Sequence, residues 1–147
     1  MSPKPSAFSM LSAIENEKCG NLSACLAKLE RELKRLESDL EAAQSRRREM
    51  DAQQRLCIGK SIKASELAIW EMAYLELKTQ MDGISSRLSK LRCEEKKLRT
   101  SLSAHIGKHH TWETLLDNES AQKKRLSTKS DQRAVDDLIA HRPRRPA

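Results

Sequence analysis

The sequence predicts an all-α fold, a long two-helix antiparallel coiled-coil hairpin with a C-terminal helical overhang. Three observations predict it. Two series of apolar residues recur at alternating steps of three and four, the signature of a coiled-coil seam. A short glycine-containing break separates the two series, which makes the helices antiparallel neighbours. The composition suits a narrow seam and not a round core: 33% of the 147 residues are charged, with one Phe, one Tyr and two Trp.

The elements follow in chain order. Residues 1–6 contain Pro3 and Pro5 and are expected to fray. A first helix is expected over about 7–57. Its seam runs Leu22, Leu26, Leu29, Leu33, Leu36, Leu40, Ala43, Arg47, Met50, Gln54 and Cys57, with Arg47 and Gln54 as polar breaks. The turn falls at about 58–64, where Gly59 can take the left-handed conformation that ends a helix. Ser65 followed by Glu66 reads as the cap and first turn of a second helix, about 65–139. The second seam runs Leu67, Trp70, Tyr74, Leu77, Met81, Ile84, Leu88, Leu91, Glu95, Leu98 and Leu102. One register satisfies nearly every layer. Cys57 faces Leu67, Leu36 faces Leu88, Leu33 faces Leu91, and Leu26 faces Leu98.

Past Leu102 the seam turns polar at His105 and His109, with Cys19 opposite His105. Gly20 and Gly107 lie nearby, so helical order is expected to loosen there. Apolar contact resumes where Phe8 and Leu11 approach Trp112 and Leu116. The first helix then runs out, and the second continues alone as the overhang. The hairpin is expected to occupy 1–141 as a single domain. Pro143 and Pro146 end it, leaving a disordered basic tail over 142–147.

The net charge of +7 is concentrated at the C-terminal end. Residues 121–147 hold eight basic and three acidic side chains, a balance of +5. Such an end suits an acidic protein surface, anionic lipid or nucleic acid. Cys19, Cys25, Cys57 and Cys93 show no CxxC spacing, and neither a secretory signal nor a membrane span is legible. A reducing cytosolic location with free thiols is expected.

Motifs that would carry chemistry are weak. Gly59-Lys60-Ser61 resembles the end of a phosphate-binding loop, but position 54 is Gln54 where a glycine is required, and a helix precedes it where a strand is required. His105 and His109 share a helix face, yet the ligand count is short of a zinc site. No nucleophile elbow appears, and a two-helix rod offers no concave pocket. No catalytic, cofactor or metal site is expected, and no small-molecule substrate. Nucleic acid is not an expected partner, because the basic end lacks stacking aromatics. Trp70 and Tyr74, half of the aromatic residues, lie beside the turn, where large rings on a thin rod mark a contact or simply pack.

Two further stretches carry a resemblance. Thr111-Trp112-Glu113-Thr114-Leu115-Leu116-Asp117 is followed by Ser130-Asp131-Gln132-Arg133-Ala134-Val135-Asp136-Asp137 and a basic end. With the opening Leu11-Ser12-Ala13-Ile14-Glu15 and the long hairpin, this order resembles the FliJ/YscO family of bacterial type III export systems, flagellar or injectisome. The resemblance implies a non-enzymatic protein that acts as central stalk and regulator of the ring-shaped export ATPase. It also implies contact with the membrane export gate and with export chaperones, in the cytoplasm at the inner membrane. Trp70, Tyr74 and Leu77 are the expected gate-binding residues. Lys123, Lys124, Arg125, Leu126, Arg133, Val135 and Leu138 are the expected ATPase-binding residues of the overhang. A structural coiled-coil scaffold without an ATPase partner, and a basic helical nucleic-acid binder, stand as alternatives.

Overall fold

The computed structural model of the protein describes residues 6–141. Two helices account for nearly all of them, α1 (Ala7–Leu56) and α2 (Ala64–Ala140). The expected fraying at Pro3 and Pro5 and the tail over 142–147 lie outside the described residues.

Ser6 caps α1. Its hydroxyl accepts the Phe8 amide N–H at 3.2 Å, a donor that has no intrahelical partner, and its carbonyl accepts the Met10 N–H at 3.1 Å as the first helical bond. At the other end, the N–H groups of Cys57 and Ile58 donate to the Gln54 and Arg55 carbonyls, and the Lys60 N–H donates to Cys57. Gly59 completes the stop at φ +86°, where a side chain would be strained. The start of α2 corrects the expected cap. The Lys63 carbonyl accepts the N–H groups of Glu66 and Leu67, so the helix begins before Ser65, and Ser65 lies inside the first turn. Glu66 keeps its place near the positive end of the helix dipole.

The chain divides into two packing units, residues 21–102 and residues 1–20 with 103–147. The first contains every buried hydrophobic side chain among the described residues: Leu29, Leu33, Leu36, Ala43, Leu77, Leu88 and Leu91. Leu29, Leu33 and Leu36 of α1 cluster with Leu88 and Leu91 of α2, and Leu40, Ile84 and Leu98 pack against them. These are the residues the antiparallel register brings together. Ion pairs flank the seam at Glu32–Arg87 (2.6 Å), Glu37–Arg92 (3.3 Å) and Glu30–Arg99 (2.7 Å). Such exposed pairs are each worth about 0–1 kcal/mol. The Arg87 hydrogen bond holds the Glu32 carboxyl below its ordinary value. Two polar seam positions behave differently: Glu95 is half-buried and bonds Arg99 at 3.1 Å, while Arg47 is exposed. The Cys57–Leu67 layer does not close, because α1 ends at Leu56 and no helical turn remains to cover Leu67, which is 49% exposed.

In the other unit, residues 7–20 of α1 pack on α2 as far as Glu119. The expected loosening does not occur. Both helices run unbroken through Gly20 and Gly107, because i to i−4 backbone bonds do not depend on the polarity of the seam, and an interior glycine costs only about 1 kcal/mol. From Ser120 to the end of α2 every residue is exposed. Leu33 is 6% exposed, so Leu33→Ala is expected to cost about 2–4 kcal/mol in urea unfolding followed by circular dichroism. Leu126→Ala, at an exposed position, is expected to stay within about 0.5 kcal/mol of wild type.

Candidate functional site

Near the turn, the aromatic residues are tied into the helix pair. Trp70 and Tyr74 lie tilted at 36° with centroids 6.4 Å apart. The Tyr74 hydroxyl donates to Asp51 Oδ1 of α1 at 2.7 Å, with Gln54 Oε1 a second acceptor at 3.1 Å. The Asp51 bond, with some burial, pushes the Tyr74 phenol above its ordinary value of 10.0. Trp70 and Tyr74 are half-buried and Leu77 is buried, so this face is chiefly occupied with packing.

The open apolar surface is on the other side of α2. Ile69, Met72 and Leu75 are 66%, 72% and 66% exposed. A rotation of about 100° per residue places them opposite Trp70, Tyr74 and Leu77. The first turns of α2 therefore carry apolar stripes on both sides, a pattern that ordinarily accompanies burial on both. Leu56, Ile58 and Ile62, at the end of α1 and in the turn, are exposed as well, and Glu71 and Glu76 flank the α2 stripe. Sequence reasoning missed these residues. Their spacing of three is legible beside the seam, but a heptad seam already assigns this stretch of α2 one apolar face.

The second region is the unit formed by the two chain ends. Phe8 stacks on Trp112 with centroids 6.0 Å apart at 22°, bearing out the expected contact. The Ser6 hydroxyl donates to Glu119 Oε2 at 2.7 Å, and Lys123 pairs with Glu119 at 3.2 Å. Both hold the Glu119 carboxyl below its ordinary value. His105 bonds Glu15 at 2.6 Å. A glutamate is long enough to reach diagonally from its own layer to the next. Glu15 is buried, as is Ser12 one turn earlier. The His105 hydrogen bond outweighs burial and holds the Glu15 carboxyl below 4.5, with Lys18 assisting. A groove of about 400 Å³ opens at the start of α1, lined by Phe8, Leu115, Asn118, Glu119, Gln122 and Arg125.

Beyond this groove, Lys123, Lys124, Arg125, Leu126, Arg133, Val135 and Leu138 are all exposed on one helix. They do not form a single stripe. Leu126 and Arg133 continue the heptad positions of the seam, while Val135 and Leu138 fall on the far side. Among the described residues no three His, Cys, Asp or Glu side chains gather as metal ligands. The four cysteines are free thiols. No helix is long and apolar enough to cross a membrane.

The family model of the flagellar FliJ protein matches residues 4–147. The chain belongs to the FliJ family. This FliJ-family chain is a component of the flagellar export apparatus, a structural and regulatory class of protein. Neither the curated proteins nor the solved structures offer a significant match to it.

Because the folded-state value of Glu15 is depressed, its contribution to stability is present above the unfolded value and is lost as pH falls through the folded one. In an NMR titration of the side-chain carboxyl, the Glu15 midpoint is expected below 4.5. It should return toward the ordinary carboxylate range in His105→Ala.

Proposed function

We propose that this FliJ-family chain acts without catalysis as a connector in the flagellar export apparatus, seating its overhang in the export ATPase ring as a stalk and regulator. The observation that carries this reading is the C-terminal stretch of α2, where residues 121–140 form exposed helix with no α1 residue to pair with. An unpaired helix of about 20 residues is marginal in water. A partner that supplies packing would stabilise it, and the basic side chains Lys123, Lys124, Arg125 and Arg133 would speed its encounter with an acidic channel.

A second contact, with the membrane export gate, belongs near the turn. The expected residues Trp70, Tyr74 and Leu77 support it from within, by bracing α2 against α1. The face made by Ile69, Met72 and Leu75 is the surface that meets the gate. Export chaperones complete the partner set, and the protein works in the cytoplasm, held peripherally at the inner membrane through these contacts.

Truncation after Ala121 is expected to leave the hairpin folded and to abolish stimulation of ATPase assembly or turnover. Reversing Lys123, Lys124 and Arg125 to Glu is expected to slow association, while the wild-type rate itself falls as salt rises. If the truncated chain stimulates the ATPase at the wild-type level, the stalk contact lies elsewhere. In a separate pull-down, Met72→Asp with Leu75→Asp is expected to abolish gate binding at unchanged helicity. Trp70→Ala with Tyr74→Ala should weaken gate binding through loss of bracing. Retained gate binding in the aspartate pair would remove the outer face from the assignment.

A further inference from the structure

The unit formed by the two chain ends is held together by different chemistry from residues 21–102. All buried hydrophobic side chains among the described residues lie in 21–102. Residues 7–20 bury Ser12 and Glu15 instead, while Met10, Leu11 and Ile14 stay exposed. Three contacts tie this stretch down: the Ser6–Glu119 hydrogen bond, the Phe8–Trp112 stack and the Glu15–His105 bond. Undocked, this stretch remains joined to the rest of α1, so it can open from its N-terminal end without loss of the leucine cluster.

Such a stretch sits at the low-stability end of a fold, where segments open locally without global unfolding. A buried polar pair adds to this, because the desolvation of Glu15 offsets much of what the bond contributes. The α2 face beneath it carries His105, His109, Trp112 and Leu116, all half-buried. At the same heptad positions this face continues into Lys123 and Leu126 of the overhang. Lifting residues 7–20 would lengthen the exposed overhang by several turns and add its one tryptophan.

We propose that residues 7–20 are a releasable strap, held by the Phe8–Trp112 stack and the Glu15–His105 bond, and that its release exposes the 105–119 face of α2 to the partner of the overhang. This rests on the assignment of the overhang to the export ATPase, and it makes the strap a control on how much helix the ATPase can grip.

Hydrogen exchange on the full chain tests the strap first. Amides of 8–20 should exchange about tenfold or more faster than those of 26–43, although both are helical. Replacing the polar pair by Glu15→Leu with His105→Leu should slow exchange in 8–20 and reduce binding to the ATPase. Phe8→Ala should speed exchange there and tighten binding. Equal protection of the two segments in the wild type overturns the strap, as does a leucine pair that leaves exchange in 8–20 unchanged. The two readings fail separately. Stimulation that survives truncation after Ala121 sinks the overhang assignment. If that truncation abolishes stimulation while the slowed leucine variant binds the ATPase like wild type, the overhang stands and the strap's role is overturned.

Discussion

The packing of Leu29, Leu33 and Leu36 against Leu88 and Leu91 is the constraint on which residues 21–102 depend. A pair of helices has no third layer, so each seam residue is covered from one direction only. Buried side chains gather in the short stretch where leucine meets leucine in successive layers, with Ala43 and Leu77 buried beyond it toward the turn. Those layers set the register, and the flanking pairs Glu32–Arg87 and Glu30–Arg99 fall into place because the register brings them within reach. Being exposed, they add little stability, but a slip of one heptad would separate all of them together.

Away from that cluster the molecule gives up apolar burial for polar contact, and the polar contacts coincide with the regions assigned to partners. Tyr74 is anchored to Asp51 near the turn, and Glu15 to His105 near the chain ends. Both are directional bonds where a leucine layer would have been non-directional. The turn-proximal part of α2 then has a second apolar face that the hairpin cannot cover, since α1 already occupies the seam side. Two helices can bury only the facing stripe of each, so any further apolar stripe is left for another molecule.

The overhang extends the same logic. Among the described residues, α1 begins at Ala7 and α2 is exposed from Ser120 onward. The exposed residues there are mixed: Leu126 and Arg133 on one side, Val135 and Leu138 on the other. A helix with apolar groups on two sides suits an enclosing site better than a single groove, which accords with the proposed seat in a ring.

The sequence by itself determined the helices, their antiparallel pairing, the stop at Gly59 and the Leu33–Leu91 register. All of these follow from periodicity along a helix, and a heptad repeat in a short-turned hairpin leaves one good alignment. It also pointed to Phe8 meeting Trp112. Only the tertiary structure decided that His105 takes Glu15. It likewise decided that Leu67 loses its layer and that Ile69, Met72 and Leu75 are left uncovered on the face opposite the seam. The reason is reach and coverage. Heptad position gives the direction of a side chain, but a diagonal bond depends on its length, and exposure depends on where the opposite helix stops.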